Sequence, residues 1–278
     1  MVNHLKTLLY LLALTALIMF LGEAMGGRQG LLLAFIFSLG LNLMSYFYSD
    51  QIVLWTYGAR LVEGTDPYGL QETVAALAAR AGIPKPKVYL IPSETPNAFA
   101  TGRSPYHASV AATEGILQLL TKEEMKGVLA HELSHVSHRD TLLMAVAAVL
   151  GSVIMYLANM FKWAAIFGRR DDRNENVIGT LFIAMFAPLA ATLIQLAMSR
   201  SREYLADHGA VELTHDPQSL ANALWKIHNY AQAMPMPATP STAHMFIINP
   251  LFGGGINSLF STHPPVQERI RKLIGRTL

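Results

Sequence analysis

The chain has 278 residues, 52% of them hydrophobic and 14% charged, with a formal net charge of +2 and a mean hydropathy of +0.31. That balance is unusual for a water-soluble globular domain, and lipid-facing segments around one compact soluble unit are its simplest explanation. The small charge, with no basic stripe interleaved with aromatics, argues against a nucleic-acid partner, and the absence of cysteine excludes disulfides, thiolate metal sites and a cysteine nucleophile.

The first apolar stretch covers residues 7–21 and the second residues 31–48, against roughly 20 residues needed to cross a bilayer. Lys6 and the small residues Gly22, Ala24 and Gly26 allow a signal-peptide reading of the first. The apolar run that resumes at Leu31 after a Gly-rich link reads better as a transmembrane helical hairpin. Leu70 to Ala81 has helical periodicity, ended by Gly82, Pro84 and Pro86. Lys87–Ile91, Asn97–Thr101 and Tyr106–Ala112 are short β-compatible runs, as in a small antiparallel sheet.

Thr121 and Glu124 form a capping-box pattern that starts a helix running into His131-Glu132-Leu133-Ser134-His135. Residues 141–161 and 177–198 are the third and fourth apolar stretches, read as a second hairpin; buried core helices are the alternative. The loop from Gly168 to Asn176 lies between them. After the fourth stretch, Glu203 and Asp207 stand one helical turn apart. Asp216 and Pro217 then start another helix, a long Met/Pro/Gly-rich loop begins at Ala233, and an amphipathic helix follows Pro264 and Pro265. The expected organisation is a membrane hairpin over 1–50, a first catalytic part over 51–140, a second hairpin over 141–198 and a second catalytic part over 199–278.

The motif HExxH places two imidazoles on one helix face about 6 Å apart, where they can share one zinc ion. Glu132 lies about 100° around the helix, beside the cation's open position, as a candidate general base. A third ligand is needed. His138 sits too far along the same helix, and the long metzincin motif is excluded because Thr141 occupies its last histidine position. Glu203 is the preferred candidate, since a two-span excursion returns it to the face that HExxH left. Asp207 would then orient a ligating imidazole. His208 is a weaker candidate, and a pair of solvated acids flanked by arginines is the plain alternative.

His263 is a candidate oxyanion donor, with a helix-start or core histidine as the equal reading. The stretch holding Asn97, Ala98 and Phe99 is either an edge strand that pairs with an extended substrate or a plain sheet strand. Lys6, Arg60, Arg139, Arg200 and Arg202 flank the spans on what should be the cytoplasmic side, while Arg169, Arg170 and Arg173 weigh against that placement.

The stretches HELSH, SRSREYLADHGA, NAFATG and THPPVQERI together resemble the HtpX-type membrane proteases, relatives of the CAAX prenyl endopeptidases. The resemblance spans nearly the whole chain. It implies a mainly α membrane protein of helical hairpins with a zincin-like α+β catalytic domain, zinc ligands at His131, His135 and Glu203, and a catalytic Glu132. It further implies one Zn2+ per subunit and an active site on the cytoplasmic side of the cell inner membrane. The expected partners are the lipid bilayer and unfolded or damaged membrane proteins as substrates. A CAAX-type endopeptidase and a non-catalytic metal-binding membrane scaffold are the alternatives, and nothing in the sequence specifies an oligomer.

Overall fold

The computed structural model describes residues 2–167, 188, 192, 199–233, 246–247 and 264–276. Helix α1 (Val2–Thr56) carries both N-terminal apolar stretches and breaks its helical geometry at Gly27, where φ is 55° and ψ is −141°. Only glycine adopts that backbone without a steric cost. Its two arms, Leu5–Glu23 and Gly26–Thr56, are each long and apolar enough to cross a membrane. They meet as a hairpin at Gly22 and Gly30, where a Cβ on either residue would run into the other's backbone. Asn42 Nδ2 donates across the arms to Thr15 Oγ1 at 2.7 Å, giving a polar group partners where lipid offers none. The second arm continues past residue 48 to Thr56, because no breaker precedes Gly58.

Helix α2 (Leu70–Ala81) forms as its periodicity predicts and buries Leu70, Val74, Leu77 and Ala78. Strands β1 (Arg60–Leu61), β2 (Lys87–Ile91), β3 (Ala98–Thr101) and β4 (Ser109–Thr113) make one sheet in the order β1-β2-β4-β3. The sheet is mixed rather than the antiparallel one expected: β2 and β4 run parallel, with Tyr89 opposite Ala111. Residues 92–108 supply the crossover that a parallel pair requires, and β3 lies inside it. The run from Tyr106 to Ala112 is not one strand either, because Pro105 opens a short 3₁₀ turn through His107 and the strand begins only at Ser109. β3 is an edge strand, paired antiparallel to β4 alone.

Helix α3 (Glu114–Leu119) leads into α4 (Lys122–Ser137), whose start carries the complete capping box between Thr121 and Glu124. Helix α5 (Thr141–Phe167) then turns away from α4 by 90°. Leu143, Val146, Leu150 and Ile154 pack it against Tyr10, Leu14, Ile18 and Leu41 of the hairpin. At 27 residues α5 is long enough to cross the bilayer core. The fourth expected span, 177–198, and the loop 168–176 lie outside the described residues apart from Pro188 and Thr192. Helices α6 (Arg200–Thr214), α7 (Pro217–Ala233) and α8 (Val266–Ile274) complete the order. The main core joins α2, the sheet, α4, α7 and α8 through Leu77, Val110, Leu129, Leu133, Leu224 and Ile270. A smaller cluster of Val53, Leu54, Phe99 and Ala148 fixes the membrane helices to the sheet.

Candidate active site

Helix α4 is buried along most of its length, so the HExxH side chains face protein rather than water. The capping box and the apolar Met125, Val128, Leu129 and Leu133 set its rotation, which turns His131 and His135 toward α6. Their rings lie 4.9 Å apart between centroids and nearly perpendicular. Glu203, in the first turn of α6, reaches the same point. Its Oε2 is 3.9 Å from His131 Nε2 and its Oε1 is 3.4 Å from His135 Nε2. The ligand atoms of the three residues lie within 4.8 Å of one another, all buried. Two imidazole nitrogens and a carboxylate in that arrangement suit a divalent cation of the zinc type.

The other ring nitrogen of each histidine faces an acid. His131 Nδ1 is 3.0 Å from Asp207 Oδ1, and His135 Nδ1 is 3.3 Å from Asp140 Oδ2. With a proton on each Nδ1, donated to its carboxylate, both Nε2 atoms are the ones that would face a cation held beside Glu203. Arg269 on α8 grips Asp207 with two parallel bonds, Nε to Oδ2 at 2.9 Å and Nη2 to Oδ1 at 2.6 Å. Its Nη1 donates to the Ile247 carbonyl at 2.9 Å and lies 3.5 Å from Glu203. Arg202 pairs with Asp140 at 3.4 Å. Each of the two histidines is thus held by an acid that an arginine holds in turn.

Burial works against charge throughout this cluster, and the partners decide the outcome. Burial alone would raise Asp207, but the charge of Arg269 and the bonds from His131 and Arg269 bring it down to about 2. Burial lowers His131, and Arg269 adds to that against the pull of Asp207. Burial would also lower His135, yet hydrogen bonds to Asp140 and Glu203 and the nearby carboxylate charges raise it to about 10. A cation entering between His135 and Glu203 therefore displaces a proton. Burial pushes Glu132 up to about 7, with His135 opposing and Glu203 adding to the shift. That value suits a group that accepts a proton and returns it at neutral pH.

Glu132 Oε2 accepts the Ala100 N–H of β3 at 2.9 Å. Thr113 N–H donates to the Asn97 carbonyl, which marks 97 and 113 as a hydrogen-bonded pair. The alternate residues Ala98 and Ala100 then turn their backbone groups away from β4, on a strand that is buried throughout. Asn97 is itself buried and engaged: its N–H donates to Thr113 Oγ1 at 2.9 Å and its Oδ1 accepts from Ile247 N–H at 3.4 Å. Phe99 points away from the catalytic helix into the cluster with Tyr57 and Ala148.

Among the sequence candidates the fold brings together His131, Glu132, His135, Glu203 and Asp207. His138 is exposed at the end of α4, and His208 is exposed beside Glu212, both outside the cluster. His263 lies outside the described residues. Sequence reasoning missed Asp140 and Arg202 as supports of His135. Asp140, five residues past the second motif histidine and opening an apolar helix, was the available signal for the first. Arg269, within the THPPVQERI stretch, is the cation that holds Asp207.

The pattern of peptidase family M48 matches residues 67–277. A protein named Protease HtpX homolog from Syntrophotalea carbinolica is 52% identical over 280 residues, covering 99% of each chain. Another of that name, from Desulfatibacillum aliphaticivorans, is 48% identical and covers 98% of this chain and 89% of its own. Among solved structures, the crystal structure of S. mikatae Ste24p is similar in fold, with a TM-score of 0.52 at 19% identity. The likeness covers 98% of this chain and 66% of that longer one.

Proposed function

The chain belongs to peptidase family M48 and is a membrane metalloprotease, and from that premise we propose that it is a zinc endopeptidase acting on misfolded or damaged membrane proteins at the cytoplasmic face of the cell inner membrane, as part of proteolytic quality control under stress. The observation that carries the reading is the buried convergence of His131, His135 and Glu203 beside Glu132. His131, His135 and Glu203 would hold one zinc ion. When bound, it supplies Lewis acidity toward the scissile carbonyl and toward water.

The chain's own residues do the rest. Glu132 takes the proton of the attacking water and returns it to the departing amine, with Ala100 N–H holding its carboxylate in place. Asp207 and Asp140 keep both imidazoles in one tautomer and orientation. The Ala98 backbone and the Ala100 carbonyl, on the side of β3 that β4 does not pair and next to Asn97 and Phe99, are the groups that would bond an extended substrate segment, the Ala100 N–H being taken by Glu132. A segment in that conformation must be unfolded, which favours damaged proteins over folded ones. The cytoplasmic placement is supported by Arg60, Arg139, Arg200 and Arg202, which follow α1, precede α5 and open α6 at the catalytic end.

The test uses the full-length protein in detergent, scored for metal by elemental analysis and for cleavage of an unfolded protein and of prenylated and unprenylated peptides. Glu132→Gln should keep its metal and lose cleavage by roughly 10² to 10⁴ or more. Glu203→Ala should lose the metal. Undiminished hydrolysis by the chelated protein would refute the proposal, and cleavage confined to prenylated tails would replace its substrate class.

A further inference from the structure

A cavity of about 650 Å³ opens between the end of α1 and the sheet, away from the catalytic cluster. Its walls come from the last turns of the second membrane-spanning arm, from the start of β2 and from the loop 102–108 between β3 and β4. Lys85, Lys87 and Arg103 line it. Among the described residues none of the three forms an ion pair, so their charge is available to a ligand. Asp50 is the acid of the lining and offsets one of them.

Two aromatic side chains stand at the rim with no core to fill. Trp55 is 84% exposed and Tyr106 77% exposed. Rings of that kind settle at the level of lipid headgroups. Trp55 ends a segment long and apolar enough to span and Tyr106 sits on the opposite wall, a pairing that suits a cavity mouth at headgroup level. Along the α1 wall the residues run from Phe47 up to Trp55, about two turns of helix, which carries the cavity from the acyl boundary to the headgroup layer. Arg103 packs over the Phe47 ring, 5.6 Å from its centroid, and so holds its guanidinium at the deep end.

We propose that this cavity binds the headgroup of an anionic phospholipid, with Lys85, Lys87 and Arg103 on its phosphate and Trp55 and Tyr106 flanking the glycerol region. A lipid is favoured over a soluble anion because one wall is a membrane span whose apolar face continues below the cations. Each cation near a membrane surface contributes roughly a five-fold preference for an anionic lipid. The loop that holds Arg103 also holds Gly102, whose carbonyl accepts from Thr141 Oγ1 at 2.7 Å. The bound headgroup therefore braces the segment that follows the edge strand β3.

The experiment reconstitutes the full-length chain in phosphatidylcholine nanodiscs and measures retention of a spin-labelled phosphatidylglycerol against spin-labelled phosphatidylcholine. The test variant is Lys85→Gln/Lys87→Gln/Arg103→Gln, and the charge-matched control is Arg80→Gln/Lys122→Gln/Lys126→Gln, whose residues lie outside the cavity. Wild type and control should prefer phosphatidylglycerol by tenfold or more, and the test variant should lose most of that preference. Equal preference in all three proteins would overturn the proposal, as would an equal loss in both triples. Complete displacement of the labelled lipid by 10 mM inorganic phosphate would overturn the lipid as occupant. Because the readout is lipid retention, its failure leaves the peptidase reading intact.

Discussion

Replacing Arg269 by methionine removes a fully buried guanidinium and leaves its partners in place. Asp207 then loses two bonds of 2.9 and 2.6 Å, and the Ile247 carbonyl loses one of 2.9 Å. Asp207 is an anion by virtue of that arginine, so the variant must hold an uncompensated buried carboxylate or protonate it. Breaking a buried ion pair on one side costs about 3–5 kcal/mol. For a chain of this size that corresponds to a fall in thermal midpoint of roughly 6–20 °C, measured by intrinsic fluorescence in detergent. Asp207→Leu should fall comparably, because it strands the guanidinium. The double variant Arg269→Met/Asp207→Leu should melt above either single one, since neither charge of the pair is left behind without the other. Arg269→Lys should lie between wild type and Arg269→Met, keeping the charge but not the two parallel bonds. Single variants within 2 °C of wild type, or a double variant as low as the sum of both losses, would refute the account of Asp207 as an anion held by Arg269.

Asp140→Asn weakens the acceptor on His135 Nδ1 and the pairing to Arg202, and should reduce zinc affinity about 10- to 100-fold in a chelator competition while leaving the fold intact. Gly209→Ala should destabilise by about 1–3 kcal/mol, read as a lower thermal midpoint, although alanine is the better helix former. The new methyl meets Ser134 Oγ and lies 3.2 Å from Ser134 Cβ, where α6 crosses α4. The depressed value of Asp207 links stability to pH. Its contribution, about 2 kcal/mol, is complete above its unfolded value near pH 4 and is lost as pH falls through about 2. Melts of chelated protein between pH 5 and pH 2 should show a steeper acid slope in wild type than in Asp207→Asn, where only other lowered carboxylates such as Asp216 remain.

What could be read from the sequence is what local chemistry determines. Thr121 and Glu124 announce the start of α4 because a capping box needs only residues three apart, and the HExxH spacing is a property of one helix. Leu70 to Ala81 forms as its periodicity dictates, since Gly82 stops it in a left-handed conformation. The sheet was misread because strand direction is set by where the chain travels between strands, and β2 reaches β4 only after passing through β3. Asp140 and Arg202 were missed for the same kind of reason. They meet at His135 from opposite ends of a long insertion, and neither carries a local signature. Arg269 lies 62 residues from Asp207 along the chain, so its choice of partner is a fact of tertiary packing.

The elbow between α4 and α5 explains why the hydrolytic cluster and the membrane helices form one unit. Asp140 N–H closes the turn on the His135 carbonyl at 3.0 Å, and its own carbonyl accepts the Met144 N–H that begins α5. Its side chain meanwhile faces His135 Nδ1 and Arg202. Thr141, the first residue of α5, ties the same point to the end of the edge strand through Gly102. The 90° bend is bought with a left-handed backbone at Arg139, where φ is 58° and a side chain costs about 1–2 kcal/mol. A helix that served only as an anchor would need no such strain so close to His135. Here the angle of α5 sets the position of Asp140, Asp140 sets the tautomer of His135, and Arg202 carries the same constraint into the helix that supplies Glu203. The packing of α5 on the α1 hairpin is therefore part of what shapes the catalytic cluster.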